Sequence, residues 1–223
     1  AQTKLNDPVQ ADKLFKKSIE TFILEFDEDY FRLAEVYFDY GLFLNSAGRI
    51  HEALEVLNKA LAVCQNNYGV KHTFTALSYK HLGDHYSGQK DYMTALKYYQ
   101  QSLISVVKDF NDPDIFSNPA VDSSLFDIRL LENLKSKARA LELLARQQGD
   151  TEEELRTINK SLETIELALK LIRRIRNSYP TEESRLYLAE NEKETYLFAV
   201  HVAGVLSNKT GDSRMVYLSL IHI

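Results

Sequence analysis

His81 and His85 stand four residues apart, with Asp84 between them. On a helix that spacing sets both imidazoles on one face, as a metal-gripping pair needs. The glutamate of a zinc-peptidase H-E-x-x-H helix is missing, and the sequence supplies no evident third ligand. An aromatic-packed or solvated pair is the favoured reading. Cys64 is the only cysteine. As a nucleophile it would need a base within hydrogen-bonding reach and an electropositive niche. It sits instead in "LAVCQNN", on a run of packing residues, where a free thiol behaves as a small hydrophobe. His72 precedes a helix and suits a local structural contact, while His51 and His201 stand alone on helices. "KLIRRIR" gathers Lys170, Arg173, Arg174 and Arg176 near a helix C-terminus. Cations there complement the helix dipole, which accounts for the cluster without a nucleic acid. The acidic "EFDEDYF" (25–31) reads as a solvated turn and helix start. With no P-loop, dinucleotide fingerprint or serine-nucleophile elbow, this segment is expected to be non-catalytic and to carry no cofactor or metal.

The chain has 223 residues, 44% hydrophobic and 26% charged, enough for a sizeable core and too apolar for disorder. Its net charge of -5 argues against nucleic-acid binding. A lone cysteine forms no internal disulfide or structural zinc site, so a reducing, cytoplasmic location is expected. No apolar run is long enough for a membrane span, and "AQTKLNDPVQADKLF" lacks the basic flank and apolar core of a signal peptide. The chain starts without methionine, as a processed product or fragment does. Its last five residues, "SLIHI", resemble translated sequencing-adapter read-through, so the ending is expected to be non-native.

What must position any functional side chain is helix. Apolar residues recur at three- and four-residue steps, and only eight glycines and four prolines punctuate them. The pattern predicts helices at 9–25, 29–46, 50–66, 73–87, 91–109, 123–148, 151–178 and 181–208, with a ninth beginning near 212. Pro8 suits a first helical turn. "FNDPDIFSNPAVDSS" (110–124) is the longest non-helical link. Gly149 and Asp150 stop one helix and cap the next, and Pro180 separates the last two.

These helices repeat. Gly83, Ala95, Tyr99, Ser102 and Leu103 each stand 42 residues after Gly41, Ala53, Leu57, Ala60 and Leu61; Ala76 and Tyr79 stand 42 after Ala34 and Tyr37. The second half of the unit returns at Ala11, Phe15, Ser18 and Ile19. A fixed period of this size marks stacked helical hairpins, each unable to bury both faces alone. Small residues belong where paired helices approach: Gly41 and Gly83 on the first helix, Ala53 and Ala95 on the second. Tyr37, Leu57, Tyr79, Tyr86 and Tyr99 fill the space between, and Ala60 and Ser102 admit the next hairpin.

This spacing resembles the tetratricopeptide repeat (TPR), in the longer variety seen in kinesin light chains. In "NNYGVKHTFTALSYKHLGDHY", Gly69, His72, Thr75, Ala76, Leu82 and Tyr86 fall where that subtype puts similar residues. Thr73 replaces its usual proline, and Lys80 and His81 replace its paired asparagines, so its peptide-binding surface does not carry over. The segment from "NPAVDSSLFDIRLLENLKSKARALELLARQQGD" through "LETIELALKLIRRIRNSYPTEESRLYLAENEKETYLFAVHVAGVLSNKTGD" looks like the repeat region of bacterial CHAT proteins, over roughly residues 110–212. That resemblance implies a downstream caspase-like cysteine peptidase domain whose catalytic residues lie beyond this chain. Ala138 and Leu141 match Gly41 and Leu44; Ile165, Ala168 and Leu169 match Leu57, Ala60 and Leu61. The gap is 11 residues longer, so helix 151–178 is expected to be extended by about three turns.

The expected fold is all-α: a right-handed α-α superhelix, or TPR solenoid, of about four antiparallel helical hairpins, truncated at both ends. Its divisions are 1–110 (TPR-like repeats, the first incomplete), 111–208 (extended hairpins of CHAT-protein type) and 209–223 (the start of a further helix). The resemblance implies a protein-interaction and regulatory module preceding a CHAT peptidase domain, with a stand-alone scaffold or adaptor as the alternative. Partners are a protein or peptide on the concave face and the CHAT domain in cis, with no nucleic acid and no membrane. By repeat position the concave-face residues are Glu35, Phe38, Leu42 and Asn45, then Leu77, Lys80, Asp84 and Ser87. Phe38 and Leu42 suit an apolar anchor. Lys80 fits one position of a carboxylate clamp, but Asp84 stands where asparagine is needed and would repel a carboxylate.

Overall fold

The computed structural model describes residues 7–149 and 152–211. Among them the chain forms an all-helical repeat solenoid with one short 3₁₀ turn at Val121–Ser123. A lone helix, α1 (Pro8–Glu25), leads into three hairpins: α2 (Leu33–Ser46) with α3 (Ile50–Tyr68), α4 (Thr73–Gly88) with α5 (Tyr92–Val106), and α6 (Asp127–Gln148) with α7 (Glu152–Ser178). The helices α8 (Glu182–Asn191) and α9 (Lys193–Thr210) follow. Asp7 caps α1 by accepting from the Val9 and Gln10 amides, and Pro8 takes the first turn. Asp91 caps α5 through the Thr94 amide.

Four boundaries depart from expectation, one of them the start of α6, at Asp127 rather than 123, where a 3₁₀ turn ends instead. Residues 29–32 form turns rather than helix, because the Asp27 side chain accepts the Asp29 amide. α5 stops at Val106, since Val107 turns extended and bridges to Ser124 while the Leu125 amide bonds the Val106 carbonyl. Helix 181–208 breaks at Glu192, whose carboxylate accepts the Thr195 hydroxyl across the start of α9. The helix expected near 212 lies outside the described residues.

The two 42-residue hairpins turn alike. Arg49 N bonds Leu44 O at 2.9 Å, and 42 residues on Asp91 N bonds Tyr86 O at 3.0 Å. The left-handed position of that turn is Gly48 (φ 73°) in the first hairpin and Lys90 (φ 63°) in the second. A Cβ on Gly41 would lie 2.6 Å from the Leu57 side chain, and one on Gly83 would lie 2.5 Å from the Tyr99 ring. Each glycine is thus a socket for the bulky residue sixteen positions on. Ala53 and Ala95 are fully buried.

The third hairpin is longer, and its extra length is shared between both helices. α6 runs ten residues past Ala138, where α2 runs five past Gly41. α7 begins nine residues before Ser161, where α3 begins three before Ala53. The eleven added residues therefore divide five and six, so α7 alone does not carry them.

The linker between α5 and α6 is bound down by two lysines. Lys71 Nζ donates to the carbonyls of Ile104 (2.7 Å), Val107 (3.0 Å) and Phe110 (2.6 Å), closing the C-terminal end of α5. Lys137 Nζ donates to Gln100 Oε1 (2.7 Å), Ser117 O (2.5 Å) and Asn118 Oδ1 (3.0 Å). Gln100 also holds the Asp112 carbonyl, and Asn118 reaches Thr164 on α7. Ile115 and Phe116 pack against the cluster of Tyr92, Leu96, Tyr99, Ala140, Leu141 and Leu144. A single apolar cluster runs from Ala76 and Leu103 to Leu206, so the core is continuous across residue 110.

Candidate protein-binding groove

Stacking the hairpins sets their first helices side by side, with α4 touching both α2 and α6. Between them lies a groove of about 520 Å³. Asp39 and Leu42 line it from α2; Leu77, Lys80 and His81 from α4; Arg129, Glu132, Lys135, Ser136 and Arg139 from α6.

Of the eight residues expected on this face, Leu42, Leu77 and Lys80 line the groove. Leu42 is 45% exposed and offers an apolar contact. Phe38 does not: it is 4% exposed and its ring lies 5.0 Å from that of His81, so it is an inter-hairpin packing residue. Glu35 is exposed on α2 outside the groove lining, and Asn45, Asp84 and Ser87 are half-buried. Asn45 Oδ1 accepts from His85 Nδ1 at 2.8 Å, tying α2 to α4. Asp84 accepts Lys80 Nζ at 2.7 Å and the Tyr99 hydroxyl at 2.8 Å. Lys80 is therefore neutralised within its own helix.

Sequence reasoning missed the contribution of α6, although the signal was present. Matching Ala138 to Gly83 places Glu132, Lys135 and Arg139 at the positions of Leu77, Lys80 and Asp84. All three line the groove. Arg129 pairs with Glu132 at 2.8 Å, and Lys135 pairs with Glu192 at 2.7 Å. The Arg139 guanidinium lies over the Phe198 ring, 5.3 Å from its centroid.

His72, His81 and His85 take part in local packing and capping. Burial pushes His81 down to about 4 and also lowers His85, so both are neutral near pH 7. His72 caps α4 by accepting the Phe74 amide, and its ring stacks on Tyr68. Cys64 is fully buried with Leu33, Tyr37 and Val63, and burial raises its thiol pKa, the opposite of an activated nucleophile. Among the described residues no three of His, Cys, Asp or Glu come together to hold a metal ion. No helix among them is long and apolar enough to cross a membrane. Arg174 of the basic run pairs with Asp127 and Asp122, which joins α7 to the start of α6.

Comparison with known proteins agrees with this architecture. Residues 32–103 match the sequence model of the tetratricopeptide repeat family, over the first two hairpins. The chain is also 33% identical over 76 residues to an RxLR effector protein, SFI4, of Phytophthora infestans. That match covers 34% of this chain and 22% of the effector.

Proposed function

We propose that this chain is a protein-interaction module that takes a peptide segment of its partner along the groove of α2, α4 and α6. TPR repeats generally bind protein partners, and a segment with this fold and a buried thiol is a scaffold rather than a catalyst. One observation supports this reading: residues from the first helices of three successive hairpins, including Leu42, Leu77 and Lys80, line a single groove. A photo-crosslinking amino acid at Leu77 should give protein adducts in cells, and one at the exposed Asn58 of α3 should not. Adducts of equal yield at both positions, or at Asn58 alone, would remove the groove from consideration.

The wider context proposed is regulatory, with the module preceding a CHAT-type peptidase domain in cis in the cytoplasm. The resemblance over residues 110–212 supports it, as does the lengthened third hairpin, which differs from the 42-residue units. The alternative is an adaptor with no attached peptidase. The effector similarity is confined to 76 residues and supports the repeat fold more than any shared role. Sequencing the coding region downstream decides the matter: a histidine–cysteine caspase-like domain follows, or it does not.

A further inference from the structure

The groove changes chemistry from one hairpin to the next. At one repeat position the first three hairpins carry Leu42, Asp84 and Arg139. Leu42 is exposed and apolar. Asp84 is already satisfied by Lys80 and Tyr99. Arg139 is exposed, and among the described residues no carboxylate pairs with it; its guanidinium rests on the face of Phe198. Stacking on a ring restrains the long side chain, so less freedom is lost when its planar fork meets a ligand. Of the four cations in the lining, Lys80, Arg129 and Lys135 are paired with Asp84, Glu132 and Glu192, which leaves Arg139 as the one without a carboxylate among the described residues. The apolar contacts come from α2 and α4 and the free guanidinium from α6, so a ligand using both must span the array.

We propose that the groove selects an extended partner segment bearing an apolar side chain for Leu42 and Leu77 and an internal aspartate or glutamate for Arg139. This rests on the groove being the binding face. Arg139 forms the bidentate, charge-assisted contact, and Phe198 keeps the fork in place.

The test is selection of random twelve-residue peptides, displayed on phage, on the full chain. The best binders are then synthesised and titrated by fluorescence anisotropy. Selected peptides should carry Asp or Glu near an apolar residue. Arg139→Glu should weaken them by about tenfold or more, the scale of one charge-assisted contact. Asp→Asn in the peptide should do the same, and Asp→Lys should recover binding to the Arg139→Glu protein. Arg139 is exposed, so its replacement leaves folding intact, which a thermal melt checks. If Leu77→Asp abolishes binding while Arg139→Glu changes it less than twofold, the groove reading stands and the acidic preference falls. If amidating the peptide C-terminus abolishes binding while Asp→Asn does not, the carboxylate is terminal and the proposal is overturned. Binding indifferent to both Leu77→Asp and Arg139→Glu, or no enriched peptide at all, defeats the groove reading and the inference with it.

Discussion

Where the second hairpin carries Leu82, fully buried, the third carries Lys137, also fully buried. The first hairpin has Tyr40 at this position, 4% exposed, its hydroxyl donating to Asp12 on α1. The repeat therefore fixes that the position is interior, and the neighbouring chain decides what chemistry it holds. Leu82 is held by apolar contact. Lys137 is held because Gln100 of α5 and Ser117 and Asn118 of the linker after it supply three oxygen acceptors, one for each N–H of an ammonium group. The sockets differ likewise: Gly41 and Gly83 take Leu57 and Tyr99, while Ala138 stands at the glycine position opposite the smaller Ile165 register.

The sharpest way to compare the hairpins is to remove the inserted side chain. Tyr99→Ala should destabilise by about 3–5 kcal/mol, because a fully packed aromatic leaves a large cavity at Gly83. Ile165→Ala in the third hairpin should cost about 2–5 kcal/mol. Urea denaturation of both variants measures the pair, and a loss under about 0.5 kcal/mol in either would show that its register is misassigned.

Lys137→Leu restores the residue of the second hairpin and should nonetheless destabilise by about 1–3 kcal/mol, since it strands Gln100 Oε1, Ser117 O and Asn118 Oδ1. Burial pushes Lys137 down to about 7 from an ordinary value of 10.5. Between those values the unfolded chain holds a proton that the folded chain does not, so this residue makes stability rise as pH increases from 7 toward 10.5. Urea midpoints at pH 6 and 9 should thus diverge further between wild type and Lys137→Leu at the higher pH. A variant as stable as wild type at both would mean that the linker is not held by this lysine.

Exchanging the socket residues should have smaller effects. Gly83→Ala gains about 1 kcal/mol of helix propensity but forces a methyl into the Tyr99 ring, for a net loss of about 1–2 kcal/mol. Ala138→Gly should lose about 1 kcal/mol through propensity, with no clash to relieve. Thermal melts in which Gly83→Ala raised the midpoint would contradict the socket.

The effect of His81 emerges only on acidification. Its folded value of about 4 lies below the ordinary 6.5, so acidification through that window protonates the unfolded chain first and stability falls. His81→Gln should flatten that fall by no more than about 3 kcal/mol. Parallel slopes for wild type and variant would show that His81 has no part in it.

Much of this architecture was legible in the sequence. The 42-residue beat of Gly41 and Gly83, with the bulky residues sixteen positions later, is imposed by local packing and survives in residue types. Leu42, Leu77 and Lys80 line the groove because exposure there follows helical register. Phe38 was misplaced because its burial depends on His81, a residue of the next hairpin, and position within one repeat says nothing about that. The α6 side of the groove went unnoticed because the 42-residue period fails there, so Glu132, Lys135 and Arg139 do not fall 42 or 84 residues after the positions they match. Lys137 was invisible because two of its three acceptors, Ser117 and Asn118, come from a linker with no repeat counterpart.

That linker also bears on how the molecule answers a mechanical load. Hairpins that touch only their neighbours peel away singly when an array is pulled from its ends. Residues 112–118 fasten Gln100 of α5, Lys137 of α6 and Thr164 of α7 together. Stretched in an optical trap, the second and third hairpins should therefore give way in one long rip, after the first has yielded in a shorter step.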